Sequence, residues 1–213
     1  MKRSLIWVLE IAAFPVGSPE MKMSPQGGIF VSDYPAGSEN TLGSLARRLY
    51  VCYNIPVKIV EPNLSNLPEL VELWGKQYKY HHNLDDEYYV PDSSDLREQF
   101  EAYLKKAIVD SKPNILVAYE EDKMVGFITF ETAKADYFDT NITKYGEIFE
   151  IFVEEACRNK SFGKNLLKAA EEHFANAGIK YVELQVSTFN NNALEVYKHL
   201  GYTDRQTLMF KKL

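Results

Sequence analysis

The stretch Val153-Glu154-Glu155-Ala156-Cys157-Arg158-Asn159-Lys160-Ser161-Phe162-Gly163-Lys164 joins an apolar run directly to the start of an amphipathic helix, and its reading decides how the rest of the chain is assembled. The N–H groups in the first turn of a helix have no intrahelical acceptor. They stand at the positive end of the helix dipole, so such a corner holds a pyrophosphate with few side chains. Small residues at Ser161 and Gly163 allow phosphate oxygens to approach the backbone, while Arg158, Lys160 and Lys164 add charge.

On the N-terminal side of this corner, residues 147–153 read as a strand. Before it, residues 115–119 and 124–130 flank a turn at Glu121-Asp122-Lys123 and read as an antiparallel hairpin. Further upstream, Val57-Lys58-Ile59-Val60 alternates as a strand. Leu67, Leu70, Val71, Trp74 and Tyr78 then recur at helical spacing, in a helix opening near Ser65 or Asn66. A polar link over 81–94 leads to a second helix carrying Leu96, Phe100, Tyr103, Leu104 and Ile108, which Pro113 ends. Beyond the corner come a helix over 161–176 closed at Gly178, a strand over 181–186, a helix over 190–200 closed by Gly201, and a terminal strand near 207–211. A Rossmann-type nucleotide binder requires parallel strand–helix alternation, which the hairpin contradicts.

Hydrophobic residues at 46% and charged residues at 25% of 213 describe a globular chain. The net charge of −6 and pI near 5.3 leave no clustered basic face for nucleic acid, and an acidic balance suits a cationic substrate. The two cysteines, Cys52 and Cys157, form no CxxC pair, so neither a disulfide framework nor a zinc cluster is expected and a reducing cytoplasm is the default. The first eighteen residues imitate a secretory leader, but Glu10 interrupts them, and the apolar stretch is too short to span a bilayer. Residues 15–54 are rich in Gly, Pro and Ser apart from one short helix over 42–53, and residues 1–55 read as an extension without an assigned role.

A second constellation, Val186-Ser187-Thr188-Phe189-Asn190-Asn191-Asn192-Ala193-Leu194-Glu195-Val196-Tyr197-Lys198-His199-Leu200-Gly201-Tyr202, follows the corner at a fixed distance. Together the two stretches resemble the GNAT superfamily of acetyl-CoA-dependent N-acetyltransferases. The first is similar to its Arg-x-x-Gly-x-Gly pyrophosphate loop, with Ser161 standing for the first glycine. The second is similar to its closing pattern of Asn, Ala, Tyr and Gly followed by an aromatic. The resemblance implies an α/β (α+β) fold with a mixed, mostly antiparallel central sheet flanked by helices, over residues 56–213.

It implies further that the backbone amides of Arg158, Asn159, Lys160, Ser161, Phe162, Gly163 and Lys164 cradle the CoA pyrophosphate. Strand residues Ile151, Phe152 and Val153 pair with the pantetheine arm, whose two amides suit a strand edge. Asn190 touches the cofactor arm and caps the last helix. Tyr197 is the expected general acid toward the departing thiolate, with Tyr202 packing behind Gly201. Ile148, Glu150 and Phe152 are expected on one side of their strand, which sets Glu150 among apolar neighbours as the candidate base, with Glu147 or water as the alternatives. Direct transfer from acetyl-CoA to a small-molecule or peptide amine follows, with no metal, no nucleic acid and no membrane, and with a homodimer compatible. A non-catalytic acyl-CoA-binding or sensor module is the rival reading. His81, His82, Asp85, Asp86 and Glu87 match no metal template and read as a solvated loop. With Tyr78, Tyr80, Tyr88 and Tyr89, the acidic trio offers a wall for a cationic acceptor.

Overall fold

The computed structural model describes Trp7–Val8 and residues 57–136 and 138–213. The helix expected over 42–53, the Gly/Pro/Ser-rich stretch and Cys52 lie outside them.

Strand β1 (Trp7–Val8) is followed by β2 (Lys58–Val60), α1 (Leu67–Leu84), α2 (Ser94–Asp110), β3 (Asn114–Glu120), β4 (Lys123–Lys134), β5 (Lys144–Val153), α3 (Phe162–Asn176), β6 (Val182–Leu184) and α4 (Asn191–His199). The strands form one sheet in the order β1-β5-β4-β3-β2, with β6 also on β5. The pairs β2–β3, β3–β4 and β4–β5 are antiparallel, whereas β6 and β1 run parallel to β5. This is the mixed, mostly antiparallel sheet that the resemblance implies.

Local chemistry accounts for the boundaries. Ser93 Oγ accepts from Leu96 N at 3.2 Å and caps α2, and Asn63 and Asn66 form a reciprocal box ahead of α1. Gly178 at φ 74° and Gly201 at φ 92° end α3 and α4 in the left-handed region that other residues enter at a cost.

Two apolar layers clamp the sheet. On one face Leu70, Leu73 and Trp74 of α1 and Leu104 of α2 pack on Val117, Phe127 and Phe152, with Trp74 stacked on Phe127 at 5.1 Å between ring centroids. On the other face Leu166, Leu167, Ala170 and Phe174 of α3, joined by Ala193 and Tyr197 of α4, cover Ile128, Phe130, Ile148 and Ile151. Gly146 makes room there: a Cβ at that position would meet the Phe174 ring at 2.5 Å.

Two expectations change. Helix α1 continues through 81–84 instead of giving way to a solvated link. His81 is buried, because it extends the stripe of Leu70, Trp74 and Gln77 by one more turn. The terminal strand near 207–211 does not form: residues 203–213 carry no regular structure, and Leu208, Met209 and Phe210 are exposed. The tail instead reaches the loop after α1, where Phe210 lies edge-on to Tyr88 at 6.1 Å and Lys212 Nζ donates to Glu87 Oε1 at 2.5 Å.

Candidate active site

The decisive geometry lies on β5. Thr129 of β4 stands opposite Glu150 and Phe130 stands opposite Ile148, so Phe149 is an extra residue and β5 is bulged. Side chains alternate along a strand, and one extra residue inverts the alternation. Ile148 therefore faces α3, while Glu150 and Phe152 face α1 and α2. The expectation that Ile148, Glu150 and Phe152 share one side is corrected at Ile148. The apolar setting foreseen for Glu150 comes from α1 instead.

Glu150 is 8% exposed and accepts a hydrogen bond from Gln77 Nε2 on α1. Burial pushes its carboxyl well above the ordinary carboxylate value, and the Gln77 bond pulls it partly back. Tyrosines close the surroundings. Burial, followed by the charge of Glu150, raises Tyr89 strongly and Tyr103 to about 12. His81 stacks on Tyr89 at 5.7 Å, and burial holds its imidazole near pKa 4, hence neutral at pH 7. Tyr78 donates to Val90 O at 2.7 Å. Asp85 shapes the turn by accepting from Tyr88 N at 3.2 Å, while Asp86 and Glu87 are exposed. Glu147 is half-buried, raised by burial and then by Glu183 and Glu131, and has Glu131 and Glu183 as its ladder partners.

The edge of β5 away from β4 carries β6 at Gly146, Glu147 and Ile148, and β1 at Glu150 and Ile151. Beyond both lie Phe152 and Val153. The Val153 carbonyl accepts from Arg158 Nε at 3.4 Å, and the Arg158 guanidinium lies 5.9 Å from the centroid of the Tyr80 ring. Of the three residues expected to pair with a pantetheine arm, Ile151 is thus already matched with Val8.

The corner itself turns through two left-handed residues, Asn159 at φ 63° and Ser161 at φ 67°. Ser161 is the N-cap of α3 yet makes no side-chain cap bond, and Asn165 N is the first helical donor to return to it, at 2.9 Å. The amides of Phe162, Gly163 and Lys164 therefore precede the intrahelical ladder. Lys164 is exposed, and Lys160 Nζ is held by Glu120 at 2.7 Å, so less charge reaches the corner than the sequence suggests. Cys157 is buried, and burial with the Glu120 contact pushes its thiol up, which makes it a poor nucleophile.

Asn190 is buried and its Oδ1 accepts from Ala193 N at 3.2 Å, the expected cap of α4. It lines a cleft of about 180 Å³ with Tyr80, Leu84, Phe189, Asn191 and Asn192, between the end of α1 and the start of α4. Tyr197 is 3% exposed, packed edge-on to Tyr202 at 5.7 Å, and its hydroxyl is buried without a hydrogen-bond partner among the described residues. Burial raises its pKa strongly, so it stays protonated. Tyr202 donates to Glu171 at 2.8 Å, in keeping with a packing role.

The structure brings together Glu150, Gln77, Tyr89 and Tyr103, and separately Arg158, Tyr80 and Asn190, with α1 common to both groups. Sequence reasoning missed Gln77. Its signal was available: a glutamine at a buried position of an apolar stripe needs a buried partner. The arrangement fits an acetyl-CoA co-substrate. An uncapped helix start presents amide donors of the kind a diphosphate accepts from. Among the described residues, no three His, Cys, Asp or Glu side chains gather as a metal site, and no helix is long and apolar enough to cross a membrane.

The profile of the Acetyltransferase (GNAT) family matches residues 69–202. An uncharacterized N-acetyltransferase of Methanocaldococcus jannaschii is 29% identical over 146 residues, which cover 68% of this chain and 59% of that protein. The chain thus spans less than two thirds of that relative's length. Among solved structures, the BH1408 protein of Bacillus halodurans superposes with a TM-score of 0.66 at 19% identity over 73% of this chain and 99% of its own. A predicted acetyltransferase of Clostridium acetobutylicum, solved with acetyl-CoA, gives 0.57 at 16% identity over 73% and 96%.

Proposed function

Because this chain belongs to the Acetyltransferase (GNAT) family, we propose that it moves acetyl from acetyl-CoA to a primary amine by direct transfer. The observation that carries the reading is the strand-to-helix corner, where α3 begins uncapped behind two left-handed residues. Its amides suit a pyrophosphate. The edge of β5 at Phe152 and Val153, which no described strand covers, suits the amides of a pantetheine arm, continued to Ile151 where β1 gives way.

Bound acetyl-CoA supplies an activated thioester whose C–S bond breaks as a C–N bond forms. The chain's own residues move the protons. An amine is mostly protonated at pH 7, so Glu150 takes one proton from the ammonium nitrogen, a role suited to a carboxyl whose proton affinity burial has raised. Tyr197 donates from its hydroxyl to the departing sulfur and recovers the proton that the nitrogen sheds on becoming an amide. Glu150 belongs to the α1 face of the sheet and Tyr197 to the α3 layer. Base and acid therefore approach a thioester at the β5 edge from opposite sides. The buried, neutral-pH thiol of Cys157 has no part in this scheme, and suits a reducing cytoplasm.

A panel of primary amines, assayed by thiol release from acetyl-CoA, tests the proposal: at least one amine is expected to release CoA stoichiometrically with its acetylated product. A second reading, acyl-CoA binding without transfer, draws on the enclosure of the Tyr197 hydroxyl. Calorimetric binding of acetyl-CoA with no turnover across the panel would favour it.

A further inference from the structure

The apolar stripe of α1 is broken at one deeply buried position. Gln77 is 1% exposed, and from there Nε2 donates to Glu150 Oε2 across the gap to β5. The other end of the same amide, Oε1, is buried with no hydrogen-bond partner among the described residues. Thr129, directly across the ladder from Glu150, also has a buried hydroxyl without a partner there. Among the described residues, the titratable groups that feel the charge of this carboxyl are phenols: Tyr89 from the loop after α1 and Tyr103 from α2. Trp7 of β1 is its parallel ladder partner. Among the described residues, no basic side chain contributes to setting its proton affinity.

A carboxylate only accepts hydrogen bonds, whereas a carboxylic acid also donates one. A primary amide can serve either state, because a half-turn about its last bond exchanges NH2 for oxygen. An arginine or lysine could serve only the charged state. A buried group that cycles between both states therefore needs a partner that can reverse.

We propose that Gln77 is the positioning residue for Glu150, donating from Nε2 to the carboxylate before transfer and turning to accept through Oε1 once Glu150 has taken the proton of the ammonium. The proton passes from the substrate nitrogen to a Glu150 oxygen, and the nitrogen keeps its other two hydrogens and the lone pair. This inference rests on the reading of Glu150 as the base. It adds that α1, by way of Gln77, keeps that carboxyl in one orientation in both protonation states.

The test uses the full chain with its glutamates labelled with ¹³C at the carboxyl carbon. The Glu150 signal is identified by its loss in Glu150→Gln, and its titration is followed in wild type and in Gln77→Met, which keeps the volume without the amide. The midpoint is expected to rise, because the charge-assisted bond that the carboxylate loses is stronger than the neutral bond that the acid loses. The acid limb of kcat/KM, measured by thiol release with the acceptor from the amine panel, should rise with it while the acetyl-CoA Kd holds. An unmoved midpoint overturns the pairing without any need for turnover. A midpoint that moves while the acid limb stays in place overturns the catalytic service of the pair and, separately, the reading of Glu150 as base. Should Gln77→Met fail to fold, Gln77→Asn, one methylene too short to reach, is judged by the same two readouts.

Discussion

Thr129 stands directly across the β4–β5 ladder from Glu150, on the face of the sheet that α1 covers. The carboxyl is thereby committed to the interior, and its chemistry and its cost to the fold have one origin.

The first prediction follows from that shared origin. Burial raises the folded-state pKa of Glu150 above its ordinary 4.5. Such a group contributes stability that is fully present below the unfolded value and is lost as pH rises through the folded value. Glu150→Gln should remove this loss, so the variant gains thermal stability relative to wild type between about pH 5 and pH 8. Its kcat/KM should fall by roughly 10²–10⁴. Parallel Tm curves at the two pH values would contradict the assignment.

Tyr197→Phe removes a buried hydroxyl that has no partner among the described residues. Deleting an unsatisfied polar group leaves a fold as stable or more so. Melting temperature should hold or rise and the acetyl-CoA Kd should hold, while kcat drops about 10²-fold if the phenol protonates sulfur. A variant with full kcat would leave Tyr197 as packing alone.

Ser161 adopts φ 67° where a Cβ is unfavourable. Ser161→Gly should raise stability in denaturant melts by about 1 kcal/mol and leave CoA affinity equal or improved. Weaker CoA binding would show that the serine hydroxyl, and not only its backbone, serves the anion.

Val8 is matched with Ile151 in a parallel ladder along the β5 edge that a pantetheine arm would use. Val8→Pro deletes the N–H of residue 8 and disfavours that pairing. Calorimetry should then show tighter CoA binding, by a few-fold. Unchanged affinity would mean that the arm needs only Phe152 and Val153.

Gly146→Ala would drive a methyl into the Phe174 ring, at 2.5 Å from its nearest carbons. A loss of about 1–3 kcal/mol is expected in equilibrium unfolding, as for an overpacked core.

Much of this was legible in residues. The apolar runs of 115–119 and 124–130 around a polar turn specify a hairpin, and the 3.6 period of Leu67, Leu70, Val71 and Trp74 specifies a helix, because local spacing decides both. The corner at Ser161 was legible for the same reason. The facing of Ile148 was not, since a bulge leaves the composition of a strand unchanged and becomes visible only against its partner. Residues 207–211 read as a strand, but residues 203–213 run toward Tyr88 and Glu87 instead, a tertiary choice that no local pattern encodes. Gln77 escaped notice because a polar residue within a stripe is read as an interruption until its partner is seen.

The bulge at Phe149 makes the placement of the carboxyl a question of parity. If that one residue were excised, odd and even positions could no longer both keep their sides. Either Ile148 would cross to the layer under α1, or Glu150 would swing beneath α3, among Leu166, Leu167 and Phe174, out of reach of Gln77. An insertion or deletion anywhere between Ile148 and Glu150 would therefore abolish the site while leaving each of its side chains present.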